Sequence, residues 1–118
     1  RTASAGGVKS YRVTTERDAL TGCNKVIATS TMLLNDSLDA MLAVCGQARS
    51  IALIGPGAGC LPDPLFARGV TLLGGTWITD RDAFRAALTA GAPWTTTAHK
   101  VAIRREDYPG LDALLGRL

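Results

Sequence analysis

The chain has 118 residues, which is room for one domain rather than two. Apolar residues make up 47%, charged residues 19% and aromatics 5%, a balance that excludes a disordered tail, a collagen-like repeat and a disulfide scaffold. The net charge of +3 is spread along the sequence, without the dense basic stripe of a nucleic-acid binder, and no apolar run approaches the roughly 20 residues that cross a bilayer.

The first residues, Arg1-Thr-Ala-Ser-Ala-Gly-Gly7, carry no initiator Met. The sequence therefore reads as a processed product or a fragment of something longer, with residues 1–10 loop-like or disordered and residues 11–118 forming the domain. Tyr11 to Thr15 alternates and is expected as an edge strand. Lys25-Val-Ile-Ala-Thr29 is a short apolar run of the buried-strand type. It opens into Thr29-Ser30-Thr31, then Asn35-Asp36. These residues can either wall a polar pocket at a helix N-terminus or simply cap that helix. Leu38, Met41, Leu42 and Cys45 follow at i, i+3, i+4 and i+7, one face of a helix that Gly46 can close.

Ser50-Ile-Ala-Leu-Ile54 is the next expected strand, ending at Gly55-Pro56-Gly57-Ala58-Gly59-Cys60. This loop is not a dinucleotide fingerprint, because Cys60 stands where the last glycine belongs, and no Lys-Ser/Thr pair follows to make a phosphate loop. Pro56 removes one N–H from any cradle. The loop reads either as a ligand-approach site or as a tight turn. Cys60 is an exposed-thiol or soft-metal-ligand candidate, whereas Cys45 belongs to the apolar helix face and Cys23 precedes a strand, at the opposite sheet edge. Three cysteines without a close pair and a single histidine, His99, argue against a disulfide framework and against a closed four-ligand zinc site. They fit a reducing, cytoplasmic setting.

Asp63-Pro64 starts a short helix that Gly69 ends. Val70 to Leu73 is a third strand, expected to stop at Gly74-Gly75, with Thr76 beyond. Asp80 caps a helix with Ala83, Phe84, Ala87 and Leu88 inward, Ala90 to Thr97 is a loop, Val101-Ala-Ile103 is a weak strand, and Pro109 opens a last helix. Apolar strands alternating with amphipathic helices predict a three-layer, Rossmann-like α/β domain. Its sheet is mostly parallel, of four to five strands, with helices on both faces. Ligands of such sheets bind beyond the carboxyl ends of the strands. The expected binding rim is therefore Thr29, Ser30, Thr31, Asn35, Asp36, Gly55, Pro56, Gly57, Gly75 and Thr76.

These motifs also carry a resemblance. Thr29-Ser30-Thr31-Met32-Leu33-Leu34-Asn35-Asp36-Ser37-Leu38-Asp39 is similar to a strand-end motif with a Gly-Ser-Thr-like start and an Asn-Gly-Thr-like helix entry. Leu53-Ile54-Gly55-Pro56 resembles that family's second loop. Pro64-Leu65-Phe66 through Gly69-Val70, with Gly75-Thr76 and Asp80, resembles its third segment. The family is the putative heavy-metal chelation domain, and the similarity runs from about Val26 to Ile103. It implies a Rossmann-like fold, commonly following a smaller domain that resembles the enolase N-terminal fold. It also implies a heavy-metal ion or metal complex as ligand and a suggested link to anaerobic cobalamin synthesis. The chain departs from the pattern at Ala28 and at Asn35-Asp36, where Gly and Asn-Gly are typical, and in having no glycine-containing strand and helix ahead of Tyr11.

Three functions follow as expectations. The first is a domain that binds a small molecule or metal complex at the strand-end rim. The second is a Rossmann-like transferase or lyase acting on an anionic metabolite through Asp36, Cys60 or His99. The third is an assembly subunit whose sheet is completed by an enolase-N-terminal-like domain, another segment or a second copy. Neither nucleic acid nor a membrane is expected as a partner.

Overall fold

A computed structural model describes residues 2–3 and 10–118. The fold is mixed α/β, built on a four-stranded, mostly parallel sheet. Strands β3 (Lys25–Thr29), β4 (Ser50–Ile54), β5 (Leu72–Ile78) and β6 (Ala98–Arg104) lie side by side in that order, with β3, β4 and β5 parallel and β6 antiparallel to β5. Helix α1 (Leu38–Val44) connects β3 to β4, α2 (Asp63–Ala67) connects β4 to β5, α3 (Arg81–Thr89) precedes β6, and α4 (Leu111–Leu115) follows it. No helix among the described residues is long and apolar enough to cross a membrane.

The expected edge strand at Tyr11–Thr15 is corrected. Only Tyr11–Arg12 is extended, as β2, and it pairs antiparallel with β1 (Thr2–Ala3) in a separate ribbon. Its alternating residues find no apolar surface: Tyr11 and Val13 are exposed. The rest of the expected loop-like segment, residues 1 and 4–9, lies outside the described residues.

The third strand is also corrected, because it does not stop at Gly74-Gly75. Thr71 ties the chain to β4 just before β5 begins: its N–H donates to the Ile51 carbonyl (2.8 Å) and its Oγ1 accepts from Ile51 N–H (3.0 Å). β5 then runs through both glycines to Ile78, since β6 pairs with all seven of its residues, from Leu72↔Arg104 to Ile78↔Ala98. The ladder to the antiparallel partner holds both glycines extended despite their low strand propensity. Close packing favours glycine there: a Cβ on Gly74 would come 3.3 Å from the Ile54 side chain. The weak strand at 101–103 is accordingly a seven-residue strand.

The helices start close to where their sequence signals place them. Asp80 Oδ1 accepts from Ala83 N–H (2.9 Å) and caps α3. The entry to α1 differs: Asn35 Oδ1 accepts from the N–H (3.3 Å) and hydroxyl (2.6 Å) of Ser37, and Ser37, not Asn35 or Asp36, is the residue before the helix. Asp36 turns the chain there with φ of 56°.

The core lies on one side of the sheet. Register puts Val26, Ala28, Ile51, Leu53 and Leu73 on the same face, and all five are buried. Leu38, Met41 and Cys45 of α1 and Leu65, Phe66 and Val70 around α2 close over them. Each fully buried Leu or Val contributes about 1.5–3 kcal/mol of transfer free energy. The opposite face alternates with it and includes Ile27, Ala52, Ile54, Leu72, Gly74, Thr76, Ala98, Lys100 and Ala102. None of its strand residues is buried.

Candidate functional site

The carboxyl ends of β3 and β4 meet through Ser30. Its side chain is 4% exposed, and its Oγ accepts a hydrogen bond from Gly57 N–H at 3.2 Å. Gly55 leaves β4 with φ of 147°, a conformation side chains rarely adopt, and any Cβ there would collide with Ser30 Oγ. Gly55 N–H in turn donates to the Gly74 carbonyl (2.8 Å), fastening the loop to β5. The glycine loop is therefore a close-packed corner between three strands. Pro56 opens its single turn of 3-10 helix, Pro56–Ala58.

Beside this corner lies a groove of about 490 Å³. Four of the rim residues named from sequence, Gly55, Pro56, Gly75 and Thr76, border it. Ile54, Leu72, Trp94 and Ala98 make much of its apolar wall, and Lys100, on the same sheet face as Leu72, Thr76 and Ala98, brings an ammonium to it, while His99 borders it from the alternate position of β6. Trp94 is held edge-on by Phe84 of α3, with ring centroids 5.4 Å apart. Sequence reasoning assigned the segment around Trp94 to a loop, and no local signal shows that β6 carries it back over β5.

The other expected residues are placed elsewhere. Thr29 and Thr31 bond each other through their hydroxyls at 3.1 Å, and Thr29 Oγ1 accepts from Thr31 N–H at 3.3 Å, so they close their own turn at an exposed position. Ser30 and Gly57 are bonded to each other and are not among the residues that border the groove. Asp36 borders a separate cleft of about 210 Å³, together with Asp39 and Arg68, which form an ion pair at 3.2 Å. Gly75 lies inside β5 rather than in a loop, where a Cβ would come 3.6 Å from Gly59 N.

Cys60 is exposed, Cys23 is partly buried and Cys45 is buried. Among the described residues no three His, Cys, Asp or Glu side chains come together as a metal-ion site. Cys60 stands outside the residues that border the groove.

Titration behaviour is perturbed away from the groove. Burial raises the Cys45 thiol, with a further push from Cys23. Asp63 is lowered because its carboxylate accepts from Leu111 N–H (3.0 Å) and Tyr108 OH (2.8 Å), and the same carboxylate raises Tyr108. This clasp ties the C-terminal segment to α2, across 45 and 48 residues of sequence. Such separations leave no trace in local patterns.

Two solved structures share this fold. A protein of unknown function from the DUF364 family of Pyrococcus horikoshii matches with a TM-score of 0.66 and 25% identity, over 75% of this chain and 38% of that one. Another from Desulfitobacterium hafniense matches with a TM-score of 0.65 and 29% identity, over 75% of this chain and 37% of that one. The chain thus spans well under half the length of these relatives. No curated protein matches it. The family model for DUF364, putative heavy-metal chelation, matches residues 3–106. With the model spanning most of its length, the chain belongs to that family.

Proposed function

We propose that this chain binds a small molecule or an already formed metal complex in the groove that runs over the unburied face of β5 and β6, beside the carboxyl end of β4. The observation that supports this is the convergence of Gly55, Pro56, Gly75 and Thr76 with Trp94, His99 and Lys100 on one concavity of about 490 Å³. That volume falls within the range of ligand pockets, and a mostly apolar wall with a few polar groups is their usual composition. The family description points to a heavy metal. A metal that brings organic ligands with it suits the groove better than a bare ion, given the donors available. Trp94 and Ile54 would lie against the apolar body of such a complex. Lys100 would meet an acidic substituent of it.

Calorimetric titration against divalent ions and against corrin- or porphyrin-type metal complexes tests this. The expected outcome is binding of a complex, weakened about tenfold by Trp94→Ala, a loss of about 1.4 kcal/mol, and unchanged in Cys60→Ser. Binding of bare ions alone, or indifference to Trp94→Ala, refutes it.

A second reading concerns partners. The unburied sheet face supports completion of the fold by another element, either an enolase-N-terminal-like domain, a further segment, or a second copy. Parallel strands are ordinarily covered on both faces. The expected sign for a second copy is a molecular mass in light scattering that rises with concentration and falls back to the monomer in Ile27→Asp. A mass that stays monomeric at every concentration removes the second copy from this reading.

A further inference from the structure

The amino ends of the parallel strands, opposite the glycine corner, hold a second concavity of about 540 Å³. Three arginines border it from two places in the chain: Arg49 just ahead of β4, and the consecutive Arg104 and Arg105 where β6 passes into the turn that follows. Glu106 is the one carboxylate on its wall, so three cations face one anion and two positive charges are left over. That carboxylate stands 3.7 Å from Arg104, with both side chains mostly in water. Arg49 and Arg105 have no carboxylate within 4.0 Å among the described residues. The backbone fixes where these arginines start: Arg49 N–H donates to the Asn24 carbonyl (2.8 Å), and Arg105 N–H donates to the Thr71 carbonyl (3.0 Å). Ser50 adds a hydroxyl to the wall, and its nearest protein partner, Thr71 Oγ1, is distant at 3.4 Å.

We infer that this concavity binds a small polyvalent oxyanion. Guanidinium groups stay charged at any physiological pH and present paired N–H donors that match the oxygens of phosphate or carboxylate. Like charges gathered on one wall repel each other unless a counter-anion joins them. The volume exceeds what a single phosphate fills and suits a di- or triphosphate or a polycarboxylate. The concavity adjoins the groove proposed above only through Leu72, which borders both, so the two sites stand or fall separately.

Calorimetric titration of the chain with pyrophosphate and with citrate, at about 0.15 M salt, tests the inference and separates the phosphate from the carboxylate source. The expected result is one-to-one binding of at least one of them. Arg105→Gln or Arg49→Gln should weaken it about tenfold or more, by loss of a charge-assisted hydrogen bond. Arg105→Lys should weaken it less, and Glu106→Gln should tighten it. Arg12→Gln, at an exposed pair with Glu16 outside the residues that border the concavity, should leave it within about twofold. Circular dichroism checks that each variant stays folded. Absence of binding by both anions overturns the inference. So does equal weakening by Arg12→Gln, or binding that persists in an Arg49→Gln/Arg105→Gln double variant. Tight binding of a short single-stranded oligonucleotide without binding of either small anion also overturns it, in favour of a nucleic-acid surface.

Discussion

Leu53 and Ile27 are apolar residues on neighbouring strands of one sheet. Leu53 is 0% exposed and Ile27 is 77% exposed. Leu53 faces α1 and α2, while Ile27 faces the side on which no strand residue is buried. The sequence of each strand is the continuous apolar run of a doubly covered sheet, yet among the described residues the cover lies on one face. A strand's apolar composition therefore does not by itself say that both of its faces are buried.

The contrast predicts very unequal responses to truncation. Leu53→Ala removes a side chain packed against Leu73 and its neighbours in the core, and should cost about 2–5 kcal/mol, the range for buried leucines. Ile27→Ala should change stability by less than about 0.5 kcal/mol. Urea unfolding midpoints of the two variants measure this directly. If Ile27→Ala approaches Leu53→Ala, and the gap closes further with protein concentration, the open face is being covered by a second copy in solution.

The glycine corner should respond next most strongly. Gly55→Ala forces a side chain into φ of 147° and against Ser30 Oγ. Backbone strain of about 1–3 kcal/mol combines with overpacking of a closed corner, so a loss of about 2–4 kcal/mol is expected. Gly59→Ala, where a Cβ would come no closer than 3.8 Å to the Pro56 carbonyl, should be mild by the same assay. Equal losses would mean that Ser30 and its neighbours yield more easily than their burial indicates. Ser30→Ala in the Gly55→Ala background should then recover little.

How much of this was legible in the sequence follows from the range of each interaction. Helix starts such as Asp80, and buried strands such as 25–29 and 50–54, rest on local spacing, and they appear where spacing places them. Gly74-Gly75 misled because its strand character comes from β6, some 25 residues later, and not from its own propensity. Gly55, Pro56, Gly75 and Thr76 border one groove because β5 runs on past the end of β4, so its interior residues Gly75 and Thr76 lie beside the turn that leaves β4. Thr29, Thr31 and Asn35 leave the same edge of the sheet, yet their side chains are taken up by bonds within their own turns. Short polar side chains near a helix start fit both roles, and only geometry separates them. The Arg49, Arg104 and Arg105 cluster and the Asp63–Tyr108 clasp join distant segments and leave no periodic signature.

That clasp marks how far the packed side extends, and it carries the smallest of the expected effects. Tyr108 packs against the core and meets Phe66 edge-on, with ring centroids 5.7 Å apart, while its hydroxyl donates to Asp63. Asp63 is held below its ordinary value in the folded chain. Its contribution is therefore present above the unfolded carboxylate range, near 3.9, and is lost as pH falls through the lower folded value. Tyr108 is raised, so its contribution is complete below the unfolded phenol range, near 10, and is lost as pH rises through the higher folded value. Asp63→Asn should flatten the acid-side loss and Tyr108→Phe the alkaline-side loss. Both should speed amide exchange at Leu111 and the following helix before they touch β3 or β4, because the bonds they break anchor only the C-terminal segment. Exchange that rises equally in α1 and β4 would show instead that the C-terminal segment is part of the core, and that the packed face needs it to close.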